Sequence, residues 1–462
     1  MARGRKKEAL APEERLQAAL VPESEQPYKV PGNWCWVRVS SVCEFERGIT
    51  FPASAKEKEP TNTNIPCLRT ANVQDELEID DLIYVDKAYM KGNEAKLVQK
   101  DDIIMSSANS RELVGKTSYV HDVPFPITFG GFVLTIRAKT IISKYLFYFL
   151  RLEFLSGRFM GESTQTTNIA NINTTKLGGY ALSCPPLAEQ QRIVDRIESL
   201  FAKLDEAKQK AQDALDGFET RKAAILHKAF TGELTAQWRK EHGVGMESWE
   251  NVSVSEICHS LKYGTAKKSS SEGTVVVIRM GNLQDGEISW GDLAYSNDEE
   301  DIEKYKLVPG DVLFNRTNSP ALVGKTSIYR GEYPAIYAGY LIKLDYDRSR
   351  IIGDYLNYSL NTVSAKEYCN SVKTDGVNQS NINAKKIGAY IFAMPPIDEQ
   401  AEIVRLLDDL LIKEQQAKEA AEGVLDQIDL IKKAILARAF RGELGTNDPS
   451  EESAVELLKV IV

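Results

Sequence analysis

Two stretches of the chain carry apolar and small residues at steps that alternate four and three. The first runs Ile193, Ile197, Leu200, Leu204, Ala207, Ala211, Ala214, Phe218, and the second runs Ile403, Leu407, Leu410, Glu414, Ala417, Ala421, Val424, Ile428. This is the a/d spacing of a coiled coil, and it predicts two long helices that hide their seams most simply by packing on each other. Alanines in the middle of each seam permit close approach. About 41 residues of helix span roughly 60 Å, or about 18 steps along a duplex. Parallel and antiparallel pairing stay open at this level. Elsewhere the apolar runs are short. WVRVSSV, DLIYV, DDIIMSS and GGFVLTIRA, broken by Gly, Asn, Asp and Pro, predict a β-rich mixed domain with one or two helices near Lys144–Phe159. Pro185-Pro186 and Pro395-Pro396 separate the two textures, because proline can precede a helix but not sit inside one.

The whole pattern occurs twice. NIANINTTKLGGYALSCPP from Asn168 and NQSNINAKKIGAYIFAMPP from Asn378 are 210 residues apart, as are PPLAEQQRIV from Pro185 and PPIDEQAEIV from Pro395. KAAILHKAFTGEL from Lys222 and KKAILARAFRGEL from Lys432 keep the same offset. LRTANVQD from Leu68 matches IRMGNLQD from Ile278, LVGKTS recurs at Leu113 and Leu322, and WCWVRVSSVC from Trp34 answers WENVSVSEIC from Trp249. Between these anchors the two copies differ freely. The expected fold class is α+β: an N-terminal helical segment over 1–27, globular domains over 28–186 and 247–396, and a tail helix over 442–462. Long helices over 187–232 and 397–441 and a linker over 233–246 join them. The terminal pieces echo the linker, so the internal repeat is pseudo-twofold and nearly circular.

Composition narrows the function. With 43% hydrophobic and 27% charged residues the chain is an ordinary globular protein, and it has no apolar run long enough to span a membrane. MARGRKKEAL leads into APEERLQAAL with no apolar segment between, unlike a signal peptide. Six cysteines without a C-x-x-C pair point to reduced, mostly buried thiols in a cytoplasm, and four histidines without ligand spacing argue against a metal centre. A net charge of −9 means that any contact with nucleic acid needs local basic patches, a charged partner, or both.

The GKT triplets at Gly115 and Gly324 invite a phosphate-loop reading, but Ser110 and Ser319 stand where the first glycine of G-x-x-x-x-G-K-[ST] belongs. Both lysines read better as turn residues or phosphate contacts. The double prolines lack the Asn/Asp and the aromatic of an amino-methyltransferase tetrapeptide, and no nucleophile elbow or Cys/His pairing is present, so the chain is expected not to be an enzyme. What remains is recognition, since base edges are read by Arg, Lys, Asn, Gln, Ser and Thr. The candidate DNA contacts are Arg69, Asn72, Ser107, Asn109, Arg111 and Lys116 in the first copy, with Gln165 in the polar segment TQTTNIANIN. In the second they are Arg279, Asn282, Asn315, Arg316, Asn318 and Lys325, with Gln379 in KTDGVNQSNIN. Asn171 and Asn381, repeated with their neighbours, read as turn or cap residues.

These motifs resemble the DNA specificity subunit family of type I restriction-modification systems. The carriers are the duplicated P-P-L/I-x-E-Q-x-x-I-V, the helix ends closing in A-F-x-G-E-L, LTAQWR after the first of them, V-P-G-N-W near the start, and the two L/I-R-x-x-N-x-Q-D segments. The resemblance covers nearly the whole chain. It implies two target recognition domains, each reading one half of a split, asymmetric double-stranded DNA site. It also implies an antiparallel coiled coil that spaces the halves and docks two modification methyltransferase subunits. Those partners would bind S-adenosylmethionine, and restriction subunits would join with ATP and Mg to translocate and cleave DNA, leaving this chain without catalytic residues, cofactor or metal. No base-reading residue is carried over from the family. Two other readings are a specificity subunit of a system without a translocating motor, and a coiled-coil scaffold whose heads bind protein.

Overall fold

The computed structural model describes residues 11–162, 164–166, 169–377 and 379–459. They form two compact units, one comprising the residues up to Lys210 and those from Val424 onward, the other Ala211 to Gly423. Asn168, Asn378 and the outermost parts of both terminal segments lie outside the described residues.

In the first unit, the strands Cys43–Arg47, Val133–Ala138, Ile103–Ser106 and Thr117–Tyr119 lie side by side in that order, all antiparallel. Side chains alternate between the two faces of a strand. Accordingly Ile103 and Met105 join one core with the helix Ser143–Leu155, while Ile104 joins another with Leu68, Ile127 and Phe129. A second sheet pairs Asn64–Leu68 antiparallel with Ile83–Asp86 and parallel with Thr128–Phe129. Cys35–Arg38 pairs with Ala181–Cys184, closing the domain where its chain enters and leaves. The run WVRVSSV is not one strand: Val39–Val42 is a helical turn, because Val39 and Val42 enter the same core three residues apart.

The second unit repeats the plan. Val312–Asn315 lies between Leu341–Tyr346 and Thr326–Ile328 in a six-stranded sheet. Val312 and Phe314 face the helix Gly353–Leu360, and Leu313 faces the core of Ile278, Tyr337 and Leu341. Glu250–Ser253 pairs with Ile391–Met394 at the domain's neck. All six cysteines are free thiols, five of them buried. No described helix is long and apolar enough to cross a membrane.

The long helices are Leu187–Asp216, continued after Gly217 by Phe218–Phe230, and Ile397–Phe440. The Arg221 guanidinium lies over Gly217, where a Cβ would meet it at 2.4 Å. That guanidinium bonds the Ala214 carbonyl at 2.9 Å and the Glu414 carboxylate at 2.8 Å. In the second unit Phe218 lies under Lys418 and Arg221 beside Glu414, so rising numbers on one helix meet falling numbers on the other and the segments run antiparallel. In the first unit Lys432 bonds Asp205 and covers Phe201, and Leu436, Ala439 and Phe440 share a core with Ile193 and Ile197.

Ile193, Ile197, Ala211, Phe218, Ile403, Leu407, Ala421 and Ile428 are buried, and Leu200, Leu204, Ala207 and Leu410 are partly buried. Ala417 and Val424 depart from the expected stripe: both are exposed, and the partly buried positions are Lys418 and Leu425. Ala421 and Ile428 keep their expected places, so only the alternate positions of the stripe shift by one residue, in the direction that the drift of a 3.6-residue helix from a strict 3.5 repeat favours.

The Glu-Gln pair after each double proline fastens these parts together. Gln190 accepts from the Ile142 amide and donates to the Pro185 carbonyl, and Gln400 accepts from the Ile352 amide and donates to the Arg350 and Pro395 carbonyls. Glu399 is buried and accepts from Thr235 Oγ1 and Arg239 Nη1, both at 2.6 Å, and from Trp249 Nε1 at 2.9 Å. Glu189 is also buried and accepts from the Asn447 amide and Thr446 Oγ1, both at 2.9 Å, and from Arg192. Burial disfavours its charge, but the Asn447 amide, Arg192 and Thr446 outweigh burial and hold its carboxyl below the ordinary range. The chain's two ends meet in this unit, where Asn33 donates to the Asp448 carbonyl and accepts from the Ala454 amide.

Glu399→Ala would leave Arg239, a residue only 8% exposed, with the Gly232 carbonyl and Thr235 Oγ1 but no counter-charge. The expected cost in urea unfolding is about 3–5 kcal/mol. A loss below about 1 kcal/mol would mean that the pair behaves as a solvated one.

Candidate nucleic-acid interface

The repeated L/I-R-x-x-N-x-Q-D segment folds as a short helical turn whose polar side chains are consumed locally. Asn72 accepts from the Arg69 amide and donates to the Asp81 carbonyl, while the Arg69 guanidinium donates to the Asp81 carbonyl and carboxylate. In the second unit Asn282 accepts from the Arg279 amide and donates to the Ser289 and Asp292 carbonyls, with Arg279 on Asp292. Gln74 and Gln284 then take the lysine of the GKT turn, Lys116 and Lys325. Gly115 and Gly324 adopt φ of +86° and +93°, and a Cβ on them would strike Phe159 and Cys369. The triplets are left-handed turns leading into the strands Thr117–Tyr119 and Thr326–Ile328, not phosphate loops.

The expected DNA contacts therefore divide. Asn72, Asn282 and Asn315 are buried, so as base readers they are corrected. The first two cap turns, and Asn315 sits inside the sheet at the end of Val312–Asn315. Arg69, Arg279, Lys116 and Lys325 are partly buried and hold internal partners.

The remaining candidates gather on a small polar sheet found in each unit. In the first, Ala108–Asn109 pairs with Ile169–Asn171, which pairs with Thr164–Thr166, the strand that carries Gln165. In the second, Thr317–Asn318 pairs with Ser380–Asn381, which pairs with Thr374–Asp375. Asn171 and Asn381 are thus strand residues, not turn residues, and Asn381 donates to Thr317 Oγ1 at 2.7 Å. Asn109 and Asn318 each accept from the following serine amide. Ser107 Oγ donates to the Phe132 carbonyl, and Arg111 is exposed on the loop that follows. Arg316 packs over the Tyr263 ring at 4.7 Å and reaches the Gly339 carbonyl and Asn381 Oδ1 at 3.3 Å. Gln379 is exposed on the hairpin beside a shallow depression of about 690 Å³, which Thr317, Thr374, Val377 and Asn381 help to line.

Four exposed residues at the edge of this surface escaped the sequence pattern. Lys176 and Lys385 lie on the short helices Thr174–Gly178 and Ala384–Gly388 that follow the hairpins. Phe132 and Tyr340 end the turns GGF and AGY. The signal for the aromatic pair is present in the sequence, 208 residues apart, but inside runs that read simply as strands.

Asn72→Ala and Asn282→Ala each remove the acceptor of the Arg69 or Arg279 amide and the buried amide group that ties the turn to the Asp81 or Ser289 and Asp292 carbonyls. Each is expected to lose about 1–3 kcal/mol of stability, read by thermal unfolding; a neutral result would mean that other groups hold the turn.

The profile of the type I restriction modification DNA specificity domain matches residues 31–215 and again 246–422. The EcoKI specificity subunit of Escherichia coli (strain K12) is 28% identical over 430 residues, covering 90% of each chain. The StySPI specificity subunit of Salmonella potsdam is 27% identical over 423 residues, again 90% of each. The solved HsdS subunit from Thermoanaerobacter tengcongensis superposes with a TM-score of 0.61 at 19% identity, covering 91% of this chain and all of its own. A chain from a study of complex assembly and conformational transition of the type I R-M system gives 0.65 at 19% identity, covering 90% of this chain and all of its own. These two likenesses are of fold.

Proposed function

The chain belongs to the type I restriction modification DNA specificity family, and from that premise we propose that its two units read two different half-sites of one duplex target. The supporting observation is the pair of small polar sheets. Each stands on the same internal frame, yet the residues around it differ: Ser107 against Arg316, Arg111 against Pro320, and unlike hairpins at 164–171 and 374–381. Unlike readers on a like frame select unlike sequences, whereas identical ones would select a palindrome. Ser107, Asn109, Arg111 and Gln165 are the base-edge candidates in the first unit, and Arg316, Asn318 and Gln379 in the second. Lys176 and Lys385 are candidate phosphate contacts.

On this reading the long helices fix the distance between half-sites and dock two modification methyltransferase subunits. The methyltransferases bring S-adenosylmethionine, and restriction subunits bring ATP and Mg chemistry. The chain itself supplies specificity without catalysis. Its acidity accords with partners that contribute much of the phosphate neutralisation.

Exchanging residues 28–186 for another such domain is expected to change one half of the methylated site, read by sequencing modified adenines in a host carrying the complex. A change in both halves would overturn the modular reading. Inserting seven residues between Leu200 and Phe218, with a matching insertion in Ile397–Phe440, should lengthen the spacer by about 3 base pairs or abolish binding. An unchanged spacer at unchanged affinity would remove the ruler.

A further inference from the structure

Each unit exposes an aromatic side chain at the same point of its repeated plan. Phe132 is 61% exposed and Tyr340 is 51% exposed. Each ends a three-residue turn, Gly130–Phe132 or Ala338–Tyr340, which leads into a strand of the central sheet, Val133–Ala138 or Leu341–Tyr346. The turns are held firmly. The Val133 and Leu341 amides close them on the Gly130 and Ala338 carbonyls at 2.8 and 2.9 Å. A second chain segment lies directly against each: a Cβ on Gly48 would meet the Gly130 carbonyl oxygen at 2.1 Å, and one on Gly264 would meet that of Tyr337 at 2.1 Å.

Both turns are also tied to the reading surface. The Phe132 carbonyl accepts from the Ser107 and Ala108 amides, and the Tyr340 carbonyl accepts from the Arg316 amide at 3.0 Å. The backbone that carries each ring is therefore anchored beside Ser107 or Arg316. Two further exposed apolar side chains recur at matching positions, Leu113 and Leu322 in the GKT turns.

A single exposed apolar residue needs no explanation. An aromatic at the same point of two otherwise divergent copies, on a rigid turn bonded to the candidate readers, calls for one that both half-sites share. Stacking or groove insertion of an aromatic is largely independent of sequence, unlike hydrogen bonding to base edges. We propose that Phe132 and Tyr340 are apolar anchors that seat against the duplex, one in each half-site, while the polar neighbours discriminate sequence. This rests on the DNA reading above. The polar company of the rings, with Asn109 and Arg111 on one surface and Arg316 and Asn318 on the other, favours a duplex over a protein partner as the occupant.

The test uses the full chain assembled with its methyltransferase partner. Cognate-duplex affinity, half-site footprints and the methylated sequence are compared for wild type, Phe132→Ala, Tyr340→Ala and the conservative Phe132→Tyr and Tyr340→Phe. Each alanine variant is expected to lose about 10- to 100-fold in affinity, the effect of withdrawing one large apolar contact. Protection should fall at its own half-site only, with an unchanged methylated sequence and unchanged melting temperature, and the conservative variants should retain most of the affinity. Unchanged affinity in both alanine variants would overturn the proposal, as would a change in the methylated sequence. Weakened methyltransferase assembly without a loss of intrinsic DNA affinity would assign the rings to a protein partner and overturn it too. A wild-type complex that selects no duplex would remove the DNA reading and this inference together; selection by wild type with indifferent variants removes this inference alone.

Discussion

The buried Glu-Gln pair that begins each long helix is the constraint on which each unit's order depends. Glutamine is long enough to accept from one backbone amide and donate to backbone carbonyls at once. Gln190 and Gln400 do so between the helix start and the chain around Ile142 and Ile352. The neighbouring glutamate turns the other way and gathers a separate segment. Glu399 collects the linker through Thr235 and Arg239, and Glu189 collects the C-terminal stretch through Thr446 and Asn447. Two adjacent residues thereby fix a helix to a domain and a connecting segment to that helix. A buried carboxylate without donors would cost too much to survive, so each glutamate makes its closing segment obligatory.

The same economy explains which repeated polar residues stay inside. Polar groups that hold a turn must be bonded within the fold, and once bonded they are poor readers of anything outside it. Arg69, Asn72, Gln74 and Lys116 form one such chain of intramolecular bonds, with Asn72 as its buried link, and Arg279, Asn282, Gln284 and Lys325 form its counterpart around the buried Asn282. Repetition between the copies marks this frame. Outward polar residues include ones at positions where the copies diverge, as Ser107 and Arg316 do beside equivalent strands tied to equivalent turns, and ones that recur, as Asn109 and Asn318 do.

The architecture is legible in the sequence because its signals are periodic or duplicated. Heptad spacing finds both helices, and the 210-residue offset pairs them with their domains. What escapes are effects of geometry that letters do not carry. Ala417 and Val424 are exposed while Lys418 and Leu425 are partly buried, a one-residue change of step that a fixed 3.5-residue count ignores. The burial of Asn315 comes from its place at the end of a strand covered on both faces. A polar composition cannot distinguish it from Asn318, three residues on, which lies partly exposed on the small sheet.

Charge follows from the same division. Arg69, Arg279, Lys116 and Lys325 are each engaged by an acceptor of their own unit, which offsets or occupies the cations that would otherwise make the face around each small sheet more basic. Among the described residues, Arg111 and Lys176 in one unit and Lys385 in the other are exposed cations on the loops and helices that adjoin the small sheets. Affinity for a duplex scales with the phosphates neutralised. A face that has invested its cations in its own frame gains discrimination from shape and hydrogen bonds, and it needs uncharged contact or a basic partner to gain affinity. An acidic chain that selects DNA is consistent on those terms, and the rings held out beside each reading sheet are the kind of uncharged contact they require.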